Sequence, residues 1–164
     1  MNRANHENAD ILCVGVGNEF RHDDAVGLIV TRHLRALDLP NMTIIEASGE
    51  GAGLLEAWEG YRHIILIDAT SSGASPGTIH RIDAHTTPIP LDLFSYSSHA
   101  FGVAQAVEMA RAIGRLPAIV QVFGIEGQNF SMGCGLTDSV EMAGSNVVDA
   151  VAEIHYKVTQ RSIG

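Results

Sequence analysis

Cysteine is scarce in this sequence: there are only two, Cys13 and Cys134, in different parts of the chain. They cannot form a C-x-x-C pair, and two distant cysteines give no indication of a disulfide framework. We interpret each one as a small buried or loop residue rather than as a nucleophile. The sequence therefore gives no reason to expect a thiol-based site.

Basic residues and long apolar runs are also lacking. Ten Lys and Arg residues stand against nineteen Asp and Glu residues, which gives a formal net charge of -9. The basic residues form no stripe, and the negative charge repels phosphate backbones, so we expect no nucleic-acid partner. No run approaches the ~18 apolar residues that span a bilayer, and residues 1–10 contain no apolar targeting segment. We therefore expect a cytoplasmic protein without membrane contact.

Two common hydrolase motifs are absent as well. No H-E-x-x-H occurs, so a thermolysin-like zinc peptidase is not supported. No G-x-S-x-G nucleophile elbow occurs either, because the serine of "ASGEG" precedes the first glycine. Neither template fits this chain.

What the chain does contain is a regular alternation of strands and amphipathic helices. Its 164 residues are 46% hydrophobic, which predicts one globular domain over 1–164, with 1–10 as a flexible N-terminal tail. Apolar or alternating runs predict strands, and helical periodicity predicts the segments between them. The predicted strands are Ile11–Val16, Met42–Glu46, His63–Asp68, Thr78–Ala84 and Ala118–Phe123. The predicted helices run from near Asp24 to before Pro40, over Ala52–Trp58, from Ser98 to about Ile113, and from about Thr137 to Val158.

This order of elements predicts the fold class. Strands that alternate with helices indicate an α/β three-layer sandwich, with a twisted, mostly parallel central sheet of about five strands and helices on both faces. In such sheets, ligands bind beyond the carboxyl ends of the strands. The apolar stripe of the first helix is predicted to comprise Val26, Ile29, Val30, His33, Leu34 and Leu37.

The stretch "GVGNEFRHDD", from Gly15 to Asp24, has the strand, glycine turn and helix order of a dinucleotide site. The third glycine of G-x-G-x-x-G is missing, however, because Phe20 holds that position. Asp23 and Asp24 would also place negative charge where a pyrophosphate binds. A nucleotide site is therefore not favoured.

A phosphoacceptor receiver module is a stronger alternative. An acidic pair after the first strand and Asp68 at the end of the third could hold Mg²⁺ beside a phosphorylatable carboxylate. That chemistry also requires a lysine after the fifth strand, but Lys157, the only lysine, lies in the last helix, and Glu126 occupies the expected region. The absence of a lysine side chain in this region weakens the receiver interpretation.

A divalent metal site without a phosphate partner accounts for the same residues. Asp24 opens the first helix, Asp68 ends the third strand and His99 lies near the start of a later helix. Two carboxylates and one imidazole would form an open transition-metal site, with room for water or a substrate group.

Each of these residues also has a simpler structural interpretation. Asp23 or Asp24 could cap the first helix, although two caps would be redundant. Asp68 follows an apolar strand, where an unpaired carboxylate is costly. His99 could be an ordinary helix-start residue, and His22 could be a partner of the acidic pair. The expected convergence at the strand ends favours a functional site.

Four stretches together carry a family resemblance: "ILCVGVGNEFRHDDAVG", "HIILIDATSSGASPGTIHRI", "SYSSHAFGV" and "VFGIEGQNFSMGCGLTDSV". In this order and spacing they resemble the maturation endopeptidases of [NiFe] hydrogenases, over nearly the whole chain from Ile11 to Val151. The combination of G-N-x-x-x-x-D-D, a strand-end Asp, a His before a helix, and G-I-E followed by G-L-T is specific, whereas each piece alone is weak.

The resemblance implies an endopeptidase that removes a C-terminal extension from the nickel-loaded precursor of a hydrogenase large subunit. It implies that Asp24, Asp68 and His99 contact the metal, which is nickel carried by the substrate; another divalent metal could replace it in vitro. Two residues depart from the family pattern. Ala25 stands where relatives have Gly, and Glu19 stands where they often have an apolar residue, so Glu19 could belong to the site or face solvent.

Other activities remain open from the sequence alone. A metal-dependent peptidase that acts on free peptides would need no hydrogenase partner, whereas a receiver-like module would accept phosphate on Asp68. A non-catalytic chaperone of the same precursor is a further alternative.

Overall fold

The computed structural model describes residues 11–94 and 101–161. Its strands are β1 (Ile11–Val16), β2 (Met42–Ala47), β3 (His63–Thr70), β4 (Ile79–Asp83) and β5 (Ile119–Glu126). They form one sheet of five strands in the order β2-β1-β3-β5-β4. All neighbouring pairs are parallel except β4 and β5, which are antiparallel at one edge. The predicted mostly parallel sheet of about five strands is confirmed.

The helices cover both faces of this sheet. They are α1 (Val26–Ala36), α2 (Gly51–Ala57), α3 (Val103–Ala112) and α4 (Asp138–Arg161), and a short 3-10 turn (His22–Ala25) precedes α1. The side chains of α2 and α3 pack in one hydrophobic cluster, whereas those of α1 and α4 pack in another on the opposite face. The three-layer α/β sandwich is therefore confirmed. No helix in the described ranges is long and apolar enough to cross a membrane.

The alternation of side chains along the strands divides the core between these two clusters. In β1, Leu12 and Val14 point to the α2 and α3 side, whereas Ile11 and Cys13 point to the α1 and α4 side. Both sets are buried, because β1 is a central strand with helices on both faces. Burial raises the pKa of the Cys13 thiol to about 12, so this cysteine is a core residue and not a nucleophile.

Gly27 allows α1 to approach the sheet very closely. A Cβ atom at this position would collide with the backbone of Val16 in β1 and Ile67 in β3. Because α1 follows the 3-10 turn directly, this contact brings the turn with Asp24 to the carboxyl ends of β1 and β3. The local sequence thus places the acidic pair beside the strand that contains Asp68.

Several predicted boundaries are wrong in detail. Asp24 does not open α1 but lies in the 3-10 turn before it, and β3 continues two residues beyond Asp68 to Thr70. Phe101 and Gly102 precede α3, so the predicted helix is not formed there, and its predicted start at Ser98 lies outside the described residues. His33 and Leu37 are exposed, although both were predicted to lie on the buried face of α1.

The buried face of α1 is shifted from the predicted stripe toward smaller residues. Gly27 and Thr31 are buried there together with Val26, Val30 and Leu34. Thr31 donates hydrogen bonds to the Gly27 and Leu28 carbonyl oxygens within its own helix. A periodicity of large apolar residues does not detect a face that contacts the sheet through glycine and threonine.

Candidate active site

A cleft of about 550 Å³ opens at the carboxyl ends of β1, β2 and β3. Its walls come from the turn after β1, from the end of β2 and from the start of α1. Asp24 and Asp68 both line it. The structure therefore brings two of the three predicted site residues to one cleft, at the sheet edge where α/β proteins bind ligands.

Asp68 is almost entirely buried, with 6% of its surface exposed. In the described part of the chain its carboxylate accepts one hydrogen bond, at 2.8 Å, from the N–H of Ala69. Burial raises the pKa of Asp68 well above its ordinary value, and the neighbouring charge of Asp24 raises it further. A second carboxylate beside a desolvated one creates a site that a proton or a cation would stabilise.

Asp24 lies at the edge of the same cleft and is partly buried. Its Oδ2 accepts a hydrogen bond of 3.0 Å from the N–H of Asn18, which ties the turn after β1 to the 3-10 turn. Burial raises the pKa of Asp24, against the opposing effects of this hydrogen bond and of the Arg21 charge. The pair supplies carboxylate oxygens, which are suitable ligands for a divalent cation.

His99, the third predicted ligand, lies outside the described residues. Among residues 11–94 and 101–161, no three His, Cys, Asp or Glu side chains are grouped closely enough to hold a metal ion. Phe94 lines the cleft, and the carbonyl oxygen of Phe101 accepts a 2.8 Å hydrogen bond from the Gly51 N–H. The assignment of Asp24, Asp68 and His99 as a metal-contacting set remains a prediction.

Asp23 has a different environment from its neighbour Asp24. It is fully buried, and its carboxylate accepts hydrogen bonds from the N–H groups of Gln128, Asn129 and Thr137 at 2.8, 2.9 and 2.8 Å. The Thr137 hydroxyl also donates to both carboxylate oxygens. No side-chain cap is formed at the start of the 3-10 turn or of α1, so the interpretation of either aspartate as a helix cap is wrong. Asp23 instead anchors the segment between β5 and α4.

Glu126 is a second buried anchor, and sequence reasoning missed its role. Its carboxylate accepts hydrogen bonds from the Thr70 and Ser72 hydroxyls and from the N–H groups of Ser72 and Gly73. The His80 Nε2 lies 3.4 Å away. Burial would raise the pKa of Glu126, but these hydrogen bonds outweigh it and the pKa lies below its ordinary value. The sequence signal for this role is the position of Glu126 in the otherwise apolar run "VFGIEG", because a carboxylate that is buried with such a strand requires hydrogen-bond partners.

Charged side chains pair along the rim of the cleft. Arg32 contacts Glu19 at 3.2 Å and Glu46 at 2.7 Å, and Arg35 contacts Glu46 at 3.4 Å. Hydrogen bonding to Arg32 lowers the pKa of Glu46. Glu19 therefore belongs to the rim network, since it lines the cleft and is ion-paired as well as exposed to solvent.

His22 and Ala25 flank the acidic pair on either side in the sequence. The Nδ1 of the His22 side chain lies 3.0 Å from the Gly135 carbonyl oxygen, and the backbone N–H of His22 donates to the Gly133 carbonyl oxygen. His22 therefore packs on the loop before α4. His22 is not among the residues that line the cleft. Ala25 has φ -80° and ψ -5°, a helical conformation in which alanine carries no strain.

Comparison with known proteins gives consistent matches over most of the chain. The family model for hydrogenase maturation proteases matches residues 28–154. A Methanocaldococcus jannaschii protein assigned to the hydrogenase maturation proteases is 31% identical over 87% of this chain and 94% of its own length. The hydrogenase 2 maturation protease of Escherichia coli is 29% identical over 80% of this chain and 81% of its own length.

Solved structures share the fold. The hydrogenase maturating endopeptidase HybD of E. coli matches with a TM-score of 0.73 and 22% identity, over 90% of this chain and 93% of that chain. A solution structure of an E. coli endopeptidase matches with a TM-score of 0.72 and 27% identity, over 86% of this chain and 88% of that chain. The receiver interpretation is not retained, because the family model that matches residues 28–154 describes hydrogenase maturation proteases.

Proposed function

The chain belongs to the hydrogenase maturation protease family and is a hydrolase, and we propose that it removes a C-terminal extension from the precursor of a [NiFe] hydrogenase large subunit. We further propose that it acts on the nickel-loaded precursor, and that Asp24, Asp68 and His99 contact the nickel that the precursor carries. The nickel is thus part of the substrate.

One observation supports this proposal most strongly: Asp24 and Asp68 line the same cleft, and the charge of Asp24 acts on Asp68. The negative charge of Asp24 raises the pKa of Asp68 in addition to the effect of burial. A cation bound between the two carboxylates would relieve both the repulsion and the cost of desolvation. An apolar or neutral substrate group would relieve neither.

A peptide substrate would also fit in the cleft. Its volume of about 550 Å³ accommodates several residues of an extended chain. With the nickel of the precursor held at Asp24 and Asp68, the scissile peptide lies beside the carboxylates. One carboxylate can then take a proton from a water as that water attacks the scissile carbonyl carbon. The carboxylic acid so formed can give this proton to the amine nitrogen as the C–N bond breaks. This role would contribute about 10²–10⁴-fold to the rate.

The test compares purified nickel-loaded and nickel-free precursor as substrates. Mass spectrometry of the large subunit should show a small loss of mass only with the nickel-loaded form. Asp24→Asn and His99→Ala should lower kcat/KM at least 100-fold, whereas Asp149→Asn, an exposed carboxylate on α4, should have wild-type activity. Equal cleavage of both precursor forms would contradict nickel recognition, and wild-type activity of Asp24→Asn or His99→Ala would contradict the site assignment.

A further inference from the structure

Two large apolar side chains are exposed on neighbouring backbone segments, one of which lines the cleft. Phe20, which lines the cleft, is 60% exposed, and Met132 is 73% exposed. The N–H of Gly133, next to Met132, donates a 2.8 Å hydrogen bond to the Phe20 carbonyl oxygen. The backbone segments that carry the two side chains are therefore directly joined. We call Phe20 and Met132 the apolar rim.

The backbone under the apolar rim is held by many hydrogen bonds. On one side, the Asn18 side chain accepts a 2.9 Å hydrogen bond from the Phe20 N–H, and the Asp24 carboxylate accepts a hydrogen bond from the Asn18 N–H. On the other side, the Asn129 side chain accepts from the Ser131 N–H and hydroxyl at 3.0 and 2.7 Å. The buried Asp23 carboxylate connects the two segments.

This arrangement is typical of a binding surface. Neither Phe20 nor Met132 belongs to the two hydrophobic clusters of the described chain, so their apolar surface contributes little to folding. A backbone that is already ordered loses little conformational entropy when a partner covers it. The other prominent exposed side chains of the rim are charged and paired, namely Glu19, Arg32 and Glu46.

We propose that the apolar rim docks the folded body of the precursor next to its C-terminal extension, through an apolar patch on that body. This rests on the proposed function, because the extension must occupy the cleft. A peptide bound in the cleft and still attached to its protein has to leave through the mouth, and Phe20 lies in the cleft wall. The precursor is thus held at two places: by its nickel and peptide in the cleft, and by apolar contact at the rim.

The experiment separates docking from chemistry. The key variant is Met132→Ser, since Met132 does not line the cleft. Its matched control is Met142→Ser on α4, where the methionine is 69% exposed. Binding of the nickel-loaded precursor is measured in an Asp68→Asn background by biolayer interferometry, and kcat and KM are measured with otherwise wild-type enzyme.

We expect Met132→Ser to weaken precursor binding about fivefold and to raise KM with kcat unchanged, because loss of an exposed apolar contact removes uniform binding. Phe20→Ser should weaken binding about tenfold, since aromatic side chains dominate such contacts. Met132→Leu should restore binding, and Met142→Ser should match the parent protein. Melting temperatures should agree among all variants.

The outcomes distinguish this proposal from the proposed function. Equal dissociation constants for Met132→Ser and its parent, or equal losses for Met132→Ser and Met142→Ser, would overturn docking at the apolar rim, whether or not the precursor is cleaved. A wild-type protein that binds the precursor without cleaving it would overturn the proposed reaction and leave docking to be decided by the binding data. Absence of any binding of the nickel-loaded precursor to the wild-type protein would overturn both.

Discussion

Asp23 and Asp68 are both buried carboxylates at the carboxyl end of the same sheet, yet their surroundings are opposite. Asp23 is 0% exposed and accepts hydrogen bonds from three backbone N–H groups and one hydroxyl. Asp68 is 6% exposed and, within the described residues, accepts one N–H from the next residue while a second carboxylate lies nearby. The number of donors around a buried carboxylate thus distinguishes a structural anchor from a group available for chemistry.

Glu126 resembles the anchor Asp23 and differs from Asp68. Like Asp23, it is buried and has several donors, and like Asp23 it fastens a loop at the end of a strand. The pKa of Glu126 is lowered whereas the pKa of Asp68 is raised, although burial acts in the same direction on both. The difference comes from hydrogen bonds that stabilise the charged form. Glu126 accepts several of them, whereas Asp68 accepts one within the described residues.

The largest effect should follow from Asp68→Asn. If Asp68 is the reactive carboxylate of the pair, kcat/KM for precursor processing should fall about 10³-fold, because the variant can neither accept a proton nor bind a cation strongly. The measurement is single-turnover cleavage of nickel-loaded precursor at enzyme excess. The Asp23 anchor should behave differently: Asp23→Asn enzyme that remains folded should retain more activity than Asp68→Asn. The reverse order of activities would contradict the division of roles.

The same Asp68→Asn variant should be more stable than wild type at neutral pH when metal is absent. The folded chain holds the Asp68 proton more tightly than the unfolded chain, since its pKa is raised by burial and by Asp24. Wild-type stability should therefore be lost as pH rises from the ordinary carboxyl pKa of about 4 through the raised value, a loss that the variant lacks.

Urea unfolding with a chelator present, from pH 4 to pH 8, measures this difference. The gap between variant and wild type should widen as pH rises. A variant that is less stable than wild type at pH 7.5 would show that Asp68 is a stabilising anchor after all.

Asp23→Ala should lower the free energy of unfolding by about 3 kcal/mol. The change leaves the N–H groups of Gln128, Asn129 and Thr137 without their acceptor and removes hydrogen bonds to a charged group. Urea unfolding at pH 7 measures the loss. Asp149→Ala, at an exposed position on α4, is the matched control and should change stability by less than about 0.5 kcal/mol. Similar losses for both variants would remove the basis for calling Asp23 an anchor.

The smallest effect should come from Thr137→Val. This substitution removes the hydroxyl that donates to Asp23 and keeps the Thr137 N–H contact, so the loss should be about 1 kcal/mol. Thr87→Val on an exposed loop provides the comparison. Asp23→Ala and Thr137→Val combined should lose less than the sum of the single changes, because both act on one network.

Much of the fold could be predicted from the sequence because the strands are apolar runs between clear turns. All five strands and the two helical layers follow from that pattern. The start of α1 was misplaced because a 3-10 turn and an α-helix begin with the same composition. The face of α1 was misplaced because close contact with the sheet selects Gly27 and Thr31, which hydrophobic periodicity ignores.

The site was only partly predictable, for a related reason. Asp24 and Asp68 could be selected because carboxylates at the ends of parallel strands meet at one edge. The roles of Asp23 and Asp24 could not be separated, since adjacent residues share every local signal. Asp23 finds partners more than a hundred positions away, whereas Asp24 accepts a hydrogen bond from nearby Asn18. Glu126 was missed because its partners come from the end of β3 and from the segment that follows it.

Gly27 has a consequence for how the two cleft carboxylates are spaced. Main-chain atoms of α1 rest against the backbone of Val16 and Ile67, so the distance between the Asp24 turn and β3 depends on hard-sphere contact between peptide groups. Rotamer changes or core substitutions elsewhere cannot adjust it gradually. Evolution or protein engineering can therefore change the surface around the cleft while the spacing between the Asp24 turn and β3 stays constant until Gly27 itself is replaced.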